Sequence, residues 1–219
     1  MNTFLTADPH FGHEGARKHC NRPWNTVADM DDGLTENWNN IVGRKDRVYI
    51  VGDFAWKNHA KYLNKLRGKK ILITGNHDKM PKASLEQFTQ VVGCNKQPGT
   101  LEMVMNGKLI VMGHYRHMTW RNSCHGSWHF YGHSHGRMFE SDNQLSCDVG
   151  VDIWDYMPVP WEVLEAKMTA RTEAWLESNK EAPGGTSWLE YDDYVDPLRV
   201  CNRKFRDQFH VTSGGVVRW

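Results

Sequence analysis

Short apolar runs, each closed by a polar loop, set the rhythm of the first half of the chain. Thr3 to Ala7 reads as a strand running straight into Asp8-Pro9-His10-Phe11-Gly12-His13, where proline cannot continue a ladder. Val48-Tyr49-Ile50-Val51 is nearly unbroken apolar sequence, as in a strand buried on both faces, and it ends in Gly52-Asp53. Ile71-Leu72-Ile73, preceded by Lys69-Lys70, ends at Gly75-Asn76-His77-Asp78. Helical spacing fills the intervals. Glu14 to Cys20 makes a short helix broken by Asn21-Arg22-Pro23. Thr26 is a good N-cap for a helix to about Val42, with Val27, Met30, Leu34, Trp38 and Ile41 on one face. A third helix runs from about Asn58 to Arg67, with Tyr62, Leu63 and Leu66 apolar, and Gly68 stops it. This alternation predicts a sheet with helical crossovers.

The second half is patterned differently. Leu101 to Met105 and Leu109 to Met112 flank Asn106-Gly107, a strong two-residue hairpin signal, and lead into Gly113-His114. Trp128 to Tyr131 ends in Gly132-His133-Ser134-His135, and Ser146 to Val151 is one more strand candidate. Two facing sheets with helices outside are the expectation. Helical pattern returns from Trp161 to Lys180, and Pro183-Gly184-Gly185 breaks it. The chain therefore divides into a domain over 1–182 and an extension over 183–219. Trp188, Tyr191, Tyr194, Phe205, Phe209 and Trp219 make that tail too aromatic to be disordered by composition, so it is expected to pack on the domain, on a partner copy or over the site.

Composition narrows the class. The chain has 219 residues, 39% hydrophobic and 24% charged, which suits a globular protein with a proper core. No apolar run approaches the ~20 residues of a membrane span, and Met1 to Leu5 lacks the features of a signal peptide. Five widely spaced cysteines with no Cys-x-x-Cys pair read as reduced thiols, so a cytoplasmic location is expected, with no membrane partner. A net charge of +1 gives no global attraction to nucleic acid. The cluster Lys65, Arg67, Lys69, Lys70 reads as a solvated face.

What changes the picture is the histidines: 12 of them, clustered with Asp and Gly in loops. Asp8, His10, Asp53, Asn76, His114, His133 and His135 come from five loops, nearly all directly after an apolar strand. One such histidine is ordinarily a core or surface residue; five coincident strand ends are not accounted for in that way. Imidazoles with carboxylates and one amide suit borderline metals such as Mn, Fe, Zn or Ni, and the absence of clustered cysteine argues against a structural zinc site. Seven donors exceed the needs of one ion but suit two ions sharing a carboxylate. Two divalent ions against Asp8, Asp53 and a hydroxide leave one positive charge to attract a phosphate. Two metals roughly 3.5–4 Å apart activate a water and clamp the oxygens of an in-line phosphoryl displacement. His77, beside Asn76, is the best placed general acid; Asp78 either orients it or caps the next turn.

The series Asp8-x-His10, Gly52-Asp53, Gly75-Asn76-His77-Asp78, Gly113-His114, Gly132-His133-x-His135 closely resembles the calcineurin-like metallophosphoesterases, with all five motif blocks in order over residues 3 to 152. The resemblance implies an α/β fold, a four-layer αββα sandwich of two mixed sheets flanked by helices, and a dinuclear site. It would put Asp8, His10 and His135 on one metal, Asn76, His114 and His133 on the other, Asp53 between them, and His77 as acid. Phe11-Gly12-His13, Asn21-Arg22-Pro23 and Gly150-Val151-Asp152-Ile153-Trp154-Asp155-Tyr156 with Pro158 resemble a compact bacterial and phage branch. Phe54-Ala55-Trp56 replaces the continuation found in Ser/Thr protein phosphatases, which disfavours that activity. The tail lies outside the resemblance.

The expectation is thus a phosphoesterase with two divalent ions, Mn foremost, acting on a phosphodiester or phosphomonoester, a nucleotide in first place. The alternatives are a nuclease acting on short or terminal nucleic acid, and a non-catalytic scaffold, which a complete ligand set disfavours. His13, Arg22, Arg116 and His117 are the candidates for touching substrate phosphate. Trp24, Trp56, Trp120 and Trp128 flank ligand loops, where an aromatic wall could stack a base or simply belong to the core.

Overall fold

A computed structural model describes residues 1–94 and 97–180. Strand β1 (Thr3–Thr6), helix α1 (Glu14–His19), helix α2 (Val27–Ile41), strand β2 (Arg47–Val51), helix α3 (His59–Lys65) and strand β3 (Lys69–Ile73) follow in the expected alternation. After a short helix α4 (Lys82–Leu85) come β4 (Gln90–Cys94) and β5 (Gln97–Pro98), then the hairpin β6 (Thr100–Met105) and β7 (Lys108–Gly113). Strands β8 (Trp128–Tyr131), β9 (Ser146–Asp148) and β10 (Val159–Pro160) precede helix α5 (Trp161–Asn179). The extension expected over 183–219, with residues 181–182, lies outside the described residues.

Two mixed sheets result. The first runs β10-β1-β2-β3-β4-β5, with β1 to β4 parallel and both edge strands antiparallel; the second runs β6-β7-β8-β9, with only the β6/β7 hairpin antiparallel. Period-two alternation sorts the residues of the first sheet between two cores. Phe4, Val48, Ile50 and Leu72 pack with Met30, Leu34 and Trp38 of α2 and Tyr62 and Leu63 of α3. Leu5, Tyr49, Val51, Ile71 and Ile73 face Ile110, Met112, Phe130 and Cys147 of the second sheet, and Trp161, Leu164 and Met168 of α5 close that core. The architecture is α/β, two mixed sheets flanked by helices. Among the described residues no helix is long and apolar enough to cross a membrane.

Three local expectations shift. Ile41 sits on the exposed side of its helix, because the last turn rolls the stripe outward and Val42 is buried instead. Lys70 is not part of a solvated face: it is buried, and its ammonium donates to the Leu66 and Gly68 carbonyls at 2.7 and 3.0 Å, satisfying the C-terminus of α3. The strand expected through Val151 ends at Asp148, and its path continues as a single bridge between Ala7 and Gly150 that ties the second sheet to the end of β1.

All the candidate loops leave the carboxyl ends of β1, β2, β3, β7 and β8, the end at which α/β sheets build sites. The helix start behind this edge is well capped: the Thr26 side chain accepts from Asp29 N at 3.1 Å while Asp29 accepts from Thr26 N at 3.1 Å. Thr26→Ala is expected to lower folding stability by about 1 kcal/mol, read as a shifted denaturant midpoint with unchanged divalent-cation binding.

Candidate metal centre

Two glycines let the strand ends converge. A Cβ on Gly52, whose φ is 92°, would stand 2.2 Å from His114 Nδ1, and one on Gly132 would stand 2.5 Å from both Ala7 Cβ and Asp8 Oδ2. Beyond them the backbone turns sharply. Asp8, His10, Asp53, His133 and His135 all have positive φ, between 48° and 65°. Such residues cost on the order of 1–3 kcal/mol each and persist only where their surroundings over-determine them. The determinants here are ladder-like bonds between the loops: Asp8 N to Gly52 O at 3.1 Å, His10 N to Asp53 O at 3.0 Å, and Gly132 N to His114 O at 3.0 Å.

The structure brings the candidate ligands into two groups. Asp8, His10 and His135 place donor atoms within 4.8 Å of one another, and Asp53, His114 and His133 do the same. Asn76 Oδ1 is 2.9 Å from His114 Nε2, which adds it to the second group. Asp53 stands between the two, with Oδ2 3.5 Å from His10 Nε2 and 3.3 Å from His114 Nε2.

Both carboxylates are anchored in the same way. Asp8 Oδ2 accepts from His133 N at 2.7 Å, and Asp53 Oδ1 accepts from His77 N at 2.8 Å. Each leaves its second oxygen aimed at the imidazoles. Asp8 is fully buried, and its Oδ1 has no hydrogen-bond partner among the described residues. A buried carboxylate oxygen without a donor is costly unless a cation meets it, so these residues fit a divalent ion.

The imidazoles are oriented from behind. His114 Nδ1 lies 2.9 Å from Val51 O, leaving Nε2 for the site, and His135 Nδ1 lies 2.7 Å from Asp152 Oδ2. Electrostatics follow the packing. Burial pushes the Asp8 carboxyl up to about 7 against the pull of His114 and His135. Burial also acts to raise Asp53, but the His114 hydrogen bond and the charges of His114 and His10 outweigh it and hold it at about 2. Burial would lower His114 and His135; bonding to Asp53 keeps the first near 9, and bonding to Asp152 and Cys20 keeps the second near 10. His10 and His133 are lowered, chiefly by burial. The two carboxylates thus favour positive charge at the imidazoles facing them, the charge a divalent ion would supply.

The other expected site residues divide. His77 stands beside the first group, its ring 5.6 Å from that of His10 and 5.5 Å from that of Trp56. Asp78 does not orient the His77 ring: it is buried, and its carboxylate accepts from Asp53 N, Phe54 N and Gly75 N, each at 2.8 Å. It stitches two motif loops together. His13 is at the site, with Nδ1 3.4 Å from His10 Nδ1. Arg116 and His117 follow His114 in the chain but turn to other partners: Arg116 donates to Phe139 O at 3.0 Å, and the His117 ring stacks on His129 at 4.7 Å.

Arg22 lies beneath the site, not on its surface. Its guanidinium is buried, pairs with both oxygens of Asp152 at 2.8 and 2.9 Å, and donates to Asp8 O and Pro9 O at 2.7 and 2.8 Å. Every donor nitrogen is therefore used within the protein, and phosphate cannot be its partner. Arg22 and Asp152 clamp the loop of Asp8 and His10 to His135. Cys20 completes a group with His135 and Asp152 whose donor atoms lie within 4.8 Å of one another. Asp152 and Cys20 do not stand out as site residues in the sequence, although Cys20 adjoins Asn21-Arg22-Pro23 and Asp152 lies within the Gly150 to Tyr156 block, which is the signal that points to them.

No family model matches the chain. It is similar to the uncharacterized protein MJ1445 of Methanocaldococcus jannaschii, 32% identical over 171 residues that cover 74% of this chain and 88% of that protein. The chain belongs to the MJ1445 family. The gene 66 protein of Mycobacterium phage D29 is 28% identical over 187 residues, covering 72% of this chain and 92% of its own, so relatives occur in both an archaeon and a phage. The crystal structure of a protein of unknown function from Aquifex aeolicus, AQ665, shares the fold, with a TM-score of 0.58 at 22% identity over 75% of this chain and 98% of that one.

If the two groups each bind an ion, variants should separate them. Asp152→Ala is expected to weaken one cation by roughly 10- to 100-fold and leave the other near its wild-type affinity, whereas Asp53→Asn weakens both. Metal titration followed by calorimetry reads this directly; equal weakening of both ions by Asp152→Ala would contradict the grouping.

Proposed function

We propose that this protein is a phosphoesterase that uses two divalent cations to hydrolyse a phosphodiester or phosphomonoester, a nucleotide ester in first place. The observation that carries the reading is Asp53 Oδ2, which faces His10 Nε2 of one donor group and His114 Nε2 of the other at 3.5 and 3.3 Å. The motif series shared with calcineurin-like metallophosphoesterases supports the same conclusion. Asp8, His10 and His135 would hold one ion, Asn76, His114 and His133 the other, and Asp53 both. Bound there, divalent cations, Mn foremost with Fe, Zn or Ni as alternatives, supply Lewis acidity and a water of lowered pKa for in-line displacement at phosphorus.

The chain's own residues do the rest. The backbone bond from His77 N to Asp53 Oδ1, 2.8 Å, ties the acid to the carboxylate that stands between the two groups. From that position the His77 imidazole gives its proton to the departing oxygen as the ester bond breaks. Asp78 keeps the loop rigid from below, and the Arg22–Asp152 clamp keeps His135 in the tautomer that presents Nε2. His13, with its ring 5.9 Å from that of His77, is the side chain we assign to a phosphate oxygen. Arg116, which donates to Phe139 O through one nitrogen, and His117, stacked on His129, are the further candidates for phosphate.

The test is turnover of bis-p-nitrophenyl phosphate and p-nitrophenyl phosphate by chelated, then Mn-reloaded protein. Hydrolysis of at least one ester, lost on chelation, is expected; hydrolysis of neither with metal bound would favour a non-catalytic scaffold. His77→Ala should keep its metal and lose roughly 100- to 10,000-fold in turnover. Equal loss of metal would show that His77 is a ligand and not the acid.

A further inference from the structure

Trp56 is the exposed aromatic at the lip of the site on the side of His77. Its indole lies flat on the His13 imidazole, with centroids 4.3 Å apart and planes 3° from parallel, and its ring centre is 5.5 Å from that of His77. Trp56 is 50% exposed, so with one face of the indole covered by His13 the other is left open. Its position is not that of a loose surface residue. Trp56 N donates to Phe11 O at 2.9 Å next to the bridge between Phe11 and Ala55, which locks the loop after Asp53 to the loop after His10. A flat π-surface, pinned at its backbone and packed on His13, therefore stands beside the residue assigned to protonate the leaving group.

We propose that the open face of Trp56, backed by His13, is a stacking shelf for a nucleobase carried by the leaving group, which makes the substrate a nucleoside ester of phosphate. This rests on the phosphoesterase reading above and narrows it: the phosphate is held at the cation groups, and the base of the departing nucleoside lies on the indole, beyond His77. Stacking accepts any base, because each presents a π-face, so the shelf selects for a nucleoside over an alkyl or sugar leaving group without reading sequence. Tyr115 is 41% exposed but stands edge-on to His133, 4.6 Å away with planes at 80°, and tilted to His114 at 5.4 Å.

The test is calorimetric titration of the Mn-loaded full chain with methylenephosphonate isosteres, which cannot be hydrolysed, of AMP and of ribose 5-phosphate. The AMP isostere is expected to bind about tenfold or more tightly than the ribose isostere. Trp56→Ala should reduce that advantage to within about twofold, Trp56→Phe should keep part of it, and Tyr115→Ala should keep all of it. Circular dichroism confirms that each variant is folded. No advantage in the wild type, an advantage that survives Trp56→Ala, or one abolished by Tyr115→Ala would overturn the shelf. Failure of the phosphoesterase reading looks different: a Trp56-dependent preference for the base-bearing probe, with no hydrolysis of either nitrophenyl ester.

Discussion

Two carboxylates, Asp8 and Asp53, are buried at the carboxyl ends of adjacent parallel strands, each with one oxygen aimed into a ring of imidazoles. Burial of a carboxylate is unfavourable unless positive charge answers it. Much of the surrounding structure reads as a response to that demand. Asp53 is held ionised by His114 and His10, Asp8 is pushed toward its neutral form, and Asp8 Oδ1 has no donor among the described residues. Five left-handed residues at the strand ends are the conformational cost of bringing these groups together. Glycine at 52 and 132 is what allows the backbones to approach closely enough.

Behind the donors lies a layer that fixes their direction. Asp78 serves three backbone amides, Val51 O and Asp152 set the outer nitrogens of His114 and His135, and Arg22 binds Asp152 to the carbonyls of Asp8 and Pro9. These contacts hold the loops in one arrangement, as the proposed pair of ions would require, because small displacements change coordination. The same bracing extends outward through the Phe11–Ala55 bridge to Trp56.

The convergence of the candidate donors was legible in the sequence because nearly every one follows an apolar run, and parallel strands deliver their carboxyl ends to one edge of a sheet, where those side chains meet. The main elements were legible for a related reason: strands buried on both faces and amphipathic helices leave strong periodic signals. What could not be read was anything set by distant pairing. Arg22 has the chemistry of a phosphate ligand, but its partner Asp152 is 130 positions away, and only the fold shows that the guanidinium is already saturated. Asp78 could be read as an orienting group or a cap; its contact with Asp53 and Phe54, across two strands, decides for backbone support. The two-residue strands β5 and β10 are too short to carry a period, and the burial of Lys70 depends on how α3 ends.

The proposed sharing of Asp53 by two cations is tested most directly by electron paramagnetic resonance of the wild-type chain titrated with Mn(II), alongside metal content per chain. Two ions per chain with exchange-coupled spectra are expected, since a shared carboxylate places the ions close together. A single ion at saturation, or two with the spectra of isolated Mn(II), would contradict the account.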